Sequence, residues 1–275
     1  MYLVASPIGN LSDISYRAVQ ALDSSDYILC EDTRRSSILL KHYNISKPLK
    51  SYHKFKELSS EKKIIGDLKD NKILSLLSDA GTPGIADPGH RLIQKCIKEE
   101  IRVSCIPGPC AAIAALIVSG LCTERFQFVG FLPKKKTKLS ETLKNLLFYE
   151  GTTICYESPK RLVSTLKILQ ELEPNRNLVV ARELTKKYEE ILRGKAKELL
   201  GALSAREIKG EIALLIAANE EEHTAWEKLS AEEHVSMLEK QYKISRKEAI
   251  KIAANLRNTP KRTVYNEIIE SDNSK

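Results

Sequence analysis

The stretch LSDAGTPGIADPG, at residues 77–89, indicates the fold class of this chain. It follows an apolar run at residues 73–77 that is typical of a buried parallel strand, and it precedes an amphipathic run that predicts a helix. Loops of this strand-to-helix kind usually have about 2–6 residues, whereas this one has thirteen. Open α/β sheets bind ligands in loops at the carboxyl edge of their strands. This stretch, the central loop, is therefore predicted to bind a ligand, with a rigid surface turn as the alternative.

The composition narrows the class of protein. With 275 residues, 42% of them hydrophobic, the chain has room for one large domain or two medium ones. No apolar run approaches the ~18–20 residues of a membrane span, and the start lacks the basic residues and cleavage pattern of a signal peptide. We therefore expect a cytoplasmic protein with no membrane partner. The six cysteines show neither CxxC spacing nor a nearby histidine, so we expect reduced thiols and no metal site.

The charge of the chain is compatible with a nucleic-acid partner. Lysine and arginine outnumber the acidic residues by 44 to 36, which gives a formal charge of +8. The distribution of this charge matters more than its sum. Basic residues concentrate in KKKTK at residues 134–138 and in residues 243–262, where seven basic residues accompany one acid. Each run fits either an RNA contact or a solvated face.

Strand and helix patterns alternate along most of the chain. A first series of strands is predicted at residues 2–5, 27–30, 73–77 and 102–106, and Ser15 or Asp13 is placed to cap the first helix. A second series is predicted at residues 126–130, 152–156, 178–181, 188–192 and 211–218, with a turn at Gly194. Three short helices follow at residues 231–241, 245–255 and 261–269, a pattern typical of a helix-turn-helix module or of a small helical cap.

These patterns predict an α/β fold in three parts. A boundary near residues 120–124 divides an N-terminal α/β domain, residues 1–120, from a second α/β domain, residues 121–219, with a cleft between the two domains. An acidic break at residues 220–222 marks a linker. Residues 220–275 then form a small, basic, C-terminal helical domain that we expect to contact RNA.

A polar cluster, EDTRR at residues 31–35, follows the second predicted strand. It lies at the same sheet edge as the central loop, where dense charge is costly unless it meets a ligand or other charges. Helix capping by Asp32 or Thr33 is the alternative. Basic and aromatic side chains alternate at residues 51–56, which fits base stacking or a plain edge strand equally. Because neither GxGxxG nor GxxxxGK[ST] occurs, a nicotinamide Rossmann site and a P-loop are poorly supported.

Six motifs along the chain closely resemble those of one protein family. In chain order they are SPIGNLSDI (6–14), EDTR (31–34), SDAGTPGIADPG (78–89), PGPCA (107–111), YESPKR (156–161) and ARELTK (181–186). The family is the bacterial small-subunit ribosomal RNA methyltransferase I, which methylates the ribose 2′-hydroxyl of a cytidine in the 16S decoding region. It is a branch of the tetrapyrrole methylase-like superfamily. The resemblance extends over residues 1 to about 219, and the helical tail also resembles the family's extra domain.

The resemblance implies a two-domain α/β enzyme of tetrapyrrole-methylase type, usually a homodimer, that binds S-adenosylmethionine in the interdomain cleft. Superfamily members hold this cofactor through backbone and apolar contacts from loops, which agrees with the missing GxGxxG. Matching the motifs, and adding two neighbours in the central loop, places cofactor contacts at Ile8, Asp79, Gly81, Thr82, Ile85, Cys110, Ala111, Tyr156 and Ile212.

The chain departs from the tetrapyrrole-type members of the superfamily at two positions. Those members have aspartate where this chain has Thr82, so the contact passes to Asp79 or to the backbone. Their first loop is rich in glycine, whereas residues 7–10 here read PIGN, as in the ribosomal RNA branch. The second departure favours RNA, in the form of 16S rRNA or the small ribosomal subunit, over a tetrapyrrole as substrate.

Methyl transfer to a ribose hydroxyl requires positioning and a base. The 2′-hydroxyl is a poor nucleophile until its proton is taken, so a carboxylate is expected near the methyl group. The unranked candidates for this base are Glu31, Asp32, Asp79 and Glu183. Basic side chains near the predicted strand ends are proposed to bind RNA phosphates, namely Arg34, Arg35, Lys160, Arg161, Arg182 and Lys186. A tetrapyrrole-type small-molecule methyltransferase and a non-catalytic RNA-binding module are the alternatives.

Overall fold

The computed structural model describes residues 1–53, 57–204, 206–218, 229–242 and 244–273. They form two compact units. The first unit comprises Met1–Val118 and Arg182–Glu190, and the second comprises Ser119–Ala181 and Ile191–Lys275. Each unit contains a five-stranded sheet, so the predicted α/β fold with a helical C-terminal region is confirmed.

The first unit is built on a parallel sheet. Its strands are β1 (Tyr2–Val4), β2 (Tyr27–Cys30), β3 (Leu49–Ser51), β4 (Leu74–Leu77) and β5 (Ser104–Ile106). They lie in the order β3-β2-β4-β1-β5, and every neighbouring pair is parallel. The connections contain a short 3-10 helix, Leu11–Asp13, and the helices α1 (Tyr16–Asp23), α2 (Thr33–His42), α3 (Glu57–Lys69), α4 (His90–Lys98) and α5 (Ala111–Ser119).

Both faces of this sheet are covered, which explains why its strands read as continuous apolar runs. In β2, Ile28 and Cys30 belong to one buried cluster, whereas Tyr27 and Leu29 belong to another. Ser15 caps α1 by accepting a hydrogen bond from the backbone N of Ala18, which resolves the choice between Ser15 and Asp13.

The edge strand β3 covers the start of the alternating basic and aromatic stretch. Ser51 ends β3, and Tyr52 is almost completely buried. Residues 54–56 of the stretch lie outside the described residues, so the choice between base stacking and an edge strand is open for them.

The second unit has a mixed sheet. Its strands are β6 (Phe126–Phe131), β7 (Thr152–Glu157), β8 (Asn177–Arg182), β9 (Glu190–Lys195) and β10 (Ile212–Ile216), in the order β6-β7-β10-β8-β9. The strand β7 is parallel to β6 and antiparallel to β10. The helices of this part are α6 (Lys136–Leu146), α7 (Pro159–Leu172) and α8 (Ala196–Ser204).

The turn predicted at Gly194 is wrong, because Gly194 lies within β9. A Cβ atom at this position would collide with the carboxylate of Glu198. The carboxylate of Glu198 also accepts a hydrogen bond from Lys195 N at 2.8 Å. Gly194 has a φ of +150°, which residues with a side chain rarely adopt, so the backbone conformation within the strand and not a chain reversal explains the glycine.

Three helices close the described chain, as predicted: α9 (Ala231–Tyr242), α10 (Arg246–Leu256) and α11 (Lys261–Asn273). They bury a separate apolar cluster that includes Val235, Leu238 and Val264. The predicted acidic linker lies outside the described residues, as does Lys243 of the basic span. None of the helices in the described ranges is long and apolar enough to cross a bilayer.

Candidate active site

The candidate site consists of loops that follow the parallel strands of the first unit. Because these strands are parallel, the loops after β1, β2, β4 and β5 leave the sheet at one edge. The central loop, between β4 and α4, is the longest of them. The sequence-based placement of this loop at a carboxyl sheet edge is confirmed.

Backbone hydrogen bonds join the first loop to the central loop. Ser6 N donates to Gly81 O at 2.9 Å, and Gly81 N donates to Ser6 O at 3.1 Å. Gly81 has a φ of +82°, a left-handed conformation that glycine adopts without strain. A Cβ atom there would lie 3.4 Å from Ile8 Cγ2 and 3.6 Å from Pro109 O, so a larger residue would crowd both neighbouring loops.

The loop after β5 is joined to the same group. The Thr82 hydroxyl donates to Pro109 O at 3.2 Å, immediately before Cys110 and Ala111. Three directly connected loops thus carry Ile8, Gly81, Thr82, Cys110 and Ala111. Ile85 lies on the same central loop and is 47% exposed. Their role as cofactor contacts stays a prediction.

Asp32 begins α2 and connects it to the central loop. Its carboxylate accepts a hydrogen bond from Arg34 N at 2.9 Å, so Asp32 rather than Thr33 is the helix cap. The Arg34 guanidinium also donates to both carboxylate oxygens, at 3.1 and 2.8 Å. These bonds lower the pKa of Asp32 to about 2. The backbone N of Asp32 in turn donates to Asp79 Oδ1 at 3.0 Å, which places two candidate bases side by side.

A small recess opens beside Asp79. Its lining consists of Glu31, Tyr52, Leu76, Leu77, Ser78, Asp79, Pro83, Asp87 and Pro88. The Ser78 hydroxyl contacts the Asp87 carboxylate and accepts a hydrogen bond from Ala80 N at 3.2 Å. The sequence-based site did not include Tyr52 or Asp87. Asp87 could have been chosen from the central loop, whereas Tyr52 reaches the recess only because β3 pairs with β2.

The segment after β8 lies against the first loop. Asn10 N donates to the Thr185 hydroxyl at 3.1 Å, and a Cβ atom at Gly9 would lie 2.6 Å from the same oxygen. Glu183 accepts a hydrogen bond from Lys186 Nζ at 2.8 Å. Arg182 likewise pairs with Glu190 at 3.1 Å. Three of the predicted site residues are therefore held in local ion pairs, and Thr185 is a contact that sequence reasoning missed.

In the second unit, Tyr156 and Ile212 lie on the neighbouring strands β7 and β10. The Tyr156 ring packs edge to face against Phe128 and Phe131, with ring centroids 4.9 and 5.5 Å apart. Lys160 is exposed at the start of α7.

Tyr156 pairs with Ala213 and Ile212 pairs with Glu157, so the side chains of Tyr156 and Ile212 lie on opposite faces of the sheet. The Ile212 side chain belongs to the buried core of this unit. The role of both residues as cofactor contacts stays a prediction.

Arg161 makes contacts with the protein through its whole guanidinium. It donates to Pro133 O at 3.0 Å and to Leu132 O at 3.1 Å, and its Nε lies 3.3 Å from the Ser158 hydroxyl. It also pairs with the buried carboxylate of Glu157 at 2.5 Å. These contacts hold the guanidinium against the segment between β6 and α6. The binding of a phosphate by Arg161 stays a prediction.

Comparison with known proteins identifies the family. The protein family described as "Tetrapyrrole (Corrin/Porphyrin) Methylases" matches residues 1–200 of this chain. A protein of Halalkalibacterium halodurans named "Ribosomal RNA small subunit methyltransferase I" is 44% identical over 97% of this chain and 93% of its own length. The chain belongs to this methyltransferase family. A Bacillus subtilis member with the same name is 43% identical over 96% of this chain and 92% of its own length.

Solved structures of tetrapyrrole methylases and related enzymes share the fold of this methyltransferase. Diphthine synthase has a TM-score of 0.63 at 13% identity, covering 79% of this chain and 89% of its own. Cobalt precorrin-4 methyltransferase has a TM-score of 0.61 at 16% identity, covering 78% of this chain and 93% of its own. At such low identities, these similarities show the fold alone.

One member of the methyltransferase family shows which part of the chain is shared. The Thermotoga maritima relative, which has the same name, is 40% identical over 99% of its own length but only 80% of this chain. The unmatched fifth is similar in size to residues 220–275. This relative therefore lacks a counterpart of about a fifth of this chain.

Proposed function

We propose that this chain transfers the methyl group of S-adenosylmethionine to the ribose 2′-hydroxyl of a cytidine in the decoding region of 16S ribosomal RNA. The observation that carries the proposal is the identity of 43–44% along nearly the whole chain with relatives named for the small ribosomal subunit RNA. The choice of the ribose and of the decoding region rests on the resemblance of the six sequence motifs.

The three connected loops of the first unit suit the proposed cofactor. They offer backbone amides and carbonyls, the Thr82 hydroxyl and the apolar side chain of Ile8. Hydrogen-bonding and apolar groups of this kind fit the adenosine and the methionine chain of the cofactor, and the Asp79 carboxylate suits a positive charge such as that of its sulfonium. Together with Tyr156 and Ile212, these residues are proposed to hold S-adenosylmethionine, which supplies an already activated methyl group.

The contacts rank the four candidate bases. Asp32 is a weak base because its pairing with Arg34 lowers its pKa to about 2. Glu183 forms an ion pair with Lys186. Asp79 and Glu31 line the recess at the sheet edge. We therefore propose Asp79 and Glu31 as the first candidates to take the proton of the hydroxyl.

The exposed cations at the strand ends are proposed to bind RNA phosphates. Arg34 extends into solvent beyond Asp32, and Arg35 and Lys160 are also exposed. Arg182 and Lys186 remain in the proposal, although binding RNA would require them to share or exchange their carboxylate partners. From the family resemblance we also propose that the protein is a homodimer and is located in the cytoplasm. Measuring the molecular mass in solution tests the homodimer.

The experiment that tests the proposal is transfer of labelled methyl from S-adenosylmethionine to three acceptors in parallel. These acceptors are isolated small ribosomal subunits, protein-free 16S rRNA and a tetrapyrrole. We expect label in RNA, in a dinucleotide that resists alkali, because alkaline cleavage needs a free 2′-hydroxyl. Label in the tetrapyrrole alone would establish the small-molecule alternative, and label in an alkali-sensitive nucleotide would contradict ribose methylation.

A further inference from the structure

The second unit carries a basic surface that the proposed active site does not use. Four lysines occur within five residues, and all four are exposed: Lys134, Lys135, Lys136 and Lys138. Lys134 and Lys135 lie between β6 and α6, and Lys136 and Lys138 lie in the first turn of α6. Within the part of the chain that the structure describes, none of them forms an ion pair. We call these four residues the lysine patch.

An exposed aromatic ring lies next to the lysine patch. Phe131 ends β6 and is 62% exposed, which is unusual for so large an apolar side chain. One edge of its ring packs against Tyr156, with centroids 5.5 Å apart. A nucleobase can stack on such a ring while neighbouring lysines bind phosphates, which is the usual recognition of single-stranded RNA. Tyr156 is also one of the proposed cofactor contacts.

A buried ion pair fixes the backbone that leads into the lysine patch. Arg161 donates to the carbonyl oxygens of Leu132 and Pro133, the two residues between Phe131 and the patch. The Glu157 carboxylate that holds Arg161 is fully buried and also accepts from Ser158 N and the Thr165 hydroxyl, at 2.7 and 2.8 Å. A solvated charge run needs no such anchor. A surface that binds a ligand benefits from one, since preorganisation lowers the entropic cost of binding.

The comparison with relatives supports an RNA contact outside the C-terminal helical region. The relative matched over 99% of its own length leaves a fifth of this chain unmatched, a share similar in size to the C-terminal helical region. If that relative binds RNA, it does so without a counterpart of that fifth. The lysine patch belongs instead to the region, residues 1–200, that matches the family description.

We propose that the lysine patch and Phe131 bind the RNA substrate, the lysines through successive phosphates and Phe131 through a stacked base, with Arg161 as the positioning residue of the loop. This inference rests on the proposed function, because it takes RNA as the substrate. It names a binding surface that is separate from the cations at the sheet edge of the first unit.

The test is RNA binding by a variant with all four patch lysines changed to alanine, measured against salt concentration. The probes are labelled 16S rRNA and small ribosomal subunits. If all four lysines contact phosphate, the salt slope should fall by about 0.7 per lysine, and affinity at 0.15 M salt should fall on the order of a hundredfold. Affinity for S-adenosylmethionine should not change. Phe131→Ala should lower RNA affinity by about tenfold without changing the slope.

The matched control changes four scattered exposed lysines to alanine: Lys41, Lys62, Lys167 and Lys197. This variant loses the same total charge, and we expect its salt slope to equal that of the unmodified protein. Equal slopes for the patch variant and the control would overturn the inference while leaving methyl transfer to RNA intact. Absence of RNA binding by the unmodified protein would overturn both proposals. Loss of binding to phosphatidylserine vesicles, with RNA binding retained, would assign the patch to a membrane surface and would also overturn the inference.

Discussion

Two strand ends, one in each unit, carry an acidic residue followed by an arginine at the start of a helix, but their ion pairs differ in burial. At the end of β2, the side chains of Arg34 and Asp32 are 89% and 29% exposed. At the end of β7, those of Arg161 and Glu157 are 23% and 0% exposed. The same residue types therefore form a surface pair in one unit and a buried anchor in the other.

This difference separates residues that can respond to a ligand from residues that hold the fold. An exposed pair is screened by solvent and exchanges partners at little cost. Removing one partner of a buried pair strongly lowers the stability of the fold, because the other charge is left buried without a counter-charge. The sheet edge of the first unit accordingly has charges available for a substrate, whereas the charges at the end of β7 are committed to the loop ahead of the lysine patch.

The largest expected effect concerns Asp79 and Glu31, the two carboxylates proposed to act as the base at the first sheet edge. If Asp79 is the base, Asp79→Asn should lower kcat by about 10²–10⁴-fold, because proton transfer is lost. Affinities for S-adenosylmethionine and RNA should stay within a factor of about two. Single-turnover kinetics on Asp79→Asn and Glu31→Gln measure this directly. Full turnover in both variants would remove the recess from the reaction.

The buried pair should show its importance in stability. Arg161→Ala leaves the Glu157 carboxylate without its cation, and we expect the free energy of unfolding to fall by about 3–5 kcal/mol. Urea denaturation measures this change. Changing Glu157 to glutamine in the same protein should recover part of the loss, because the uncompensated charge is removed. A stability equal to that of the unmodified protein would show that the pair is not an anchor.

A glycine substitution tests whether the first sheet edge binds the cofactor. Gly81→Val places a side chain toward Ile8 and Pro109, and we expect affinity for S-adenosylmethionine to fall about tenfold or more, as crowding costs about 1–3 kcal/mol. Gly120→Val is the matched control, since Gly120 has a similar φ of +78° and open space around its Cβ position. Calorimetry on the two folded variants separates loop crowding from backbone strain. Equal affinities would contradict the placement of the cofactor.

The smallest effect is expected at the exposed pair. Arg34→Ala should raise the RNA KM about fourfold at 0.15 M salt, the value of one phosphate contact, and leave kcat and the melting temperature unchanged. Lys41→Ala, on the exposed surface of the same helix, is the control. A fall in melting temperature with an unchanged KM would assign Arg34 to the fold.

The pKa of Asp32 provides a second test of the exposed pair that Asp32 forms with Arg34. In the unmodified protein its pKa is about 2, because Arg34 stabilises the carboxylate. A lowered pKa contributes stability above the ordinary value of about 3.9, and this contribution disappears as the pH falls through about 2. NMR of the carboxyl carbon should show the midpoint moving up toward the ordinary value in Arg34→Ala.

Local patterns in the sequence predicted β1, β2, β4 and β5, because burial on both faces of a parallel sheet leaves an apolar run. They also predicted the position of the central loop, whose length and glycines are visible in the chain. They did not predict the short edge strand β3. They did not distinguish the exposed Arg34 from the largely buried Arg161, since both were predicted to bind phosphate. The carbonyl groups that hold Arg161 belong to Leu132 and Pro133, 29 and 28 positions away, and no periodicity reveals such a contact. The bond between Asn10 and Thr185 spans 175 positions.

The hydrogen bond between Asn10 and Thr185 bears on the order in which the two units can be completed during synthesis. The first unit is completed by Arg182–Glu190, which emerge from the ribosome after the Ser119–Ala181 part of the second unit. Gly9 and Asn10 are among the first residues made, and their contact with Thr185 can form only after Thr185 has been synthesised. The amino-terminal unit, although begun first, is therefore finished late. A nascent chain interrupted before residue 182 has the central loop but lacks the segment that closes over the first loop.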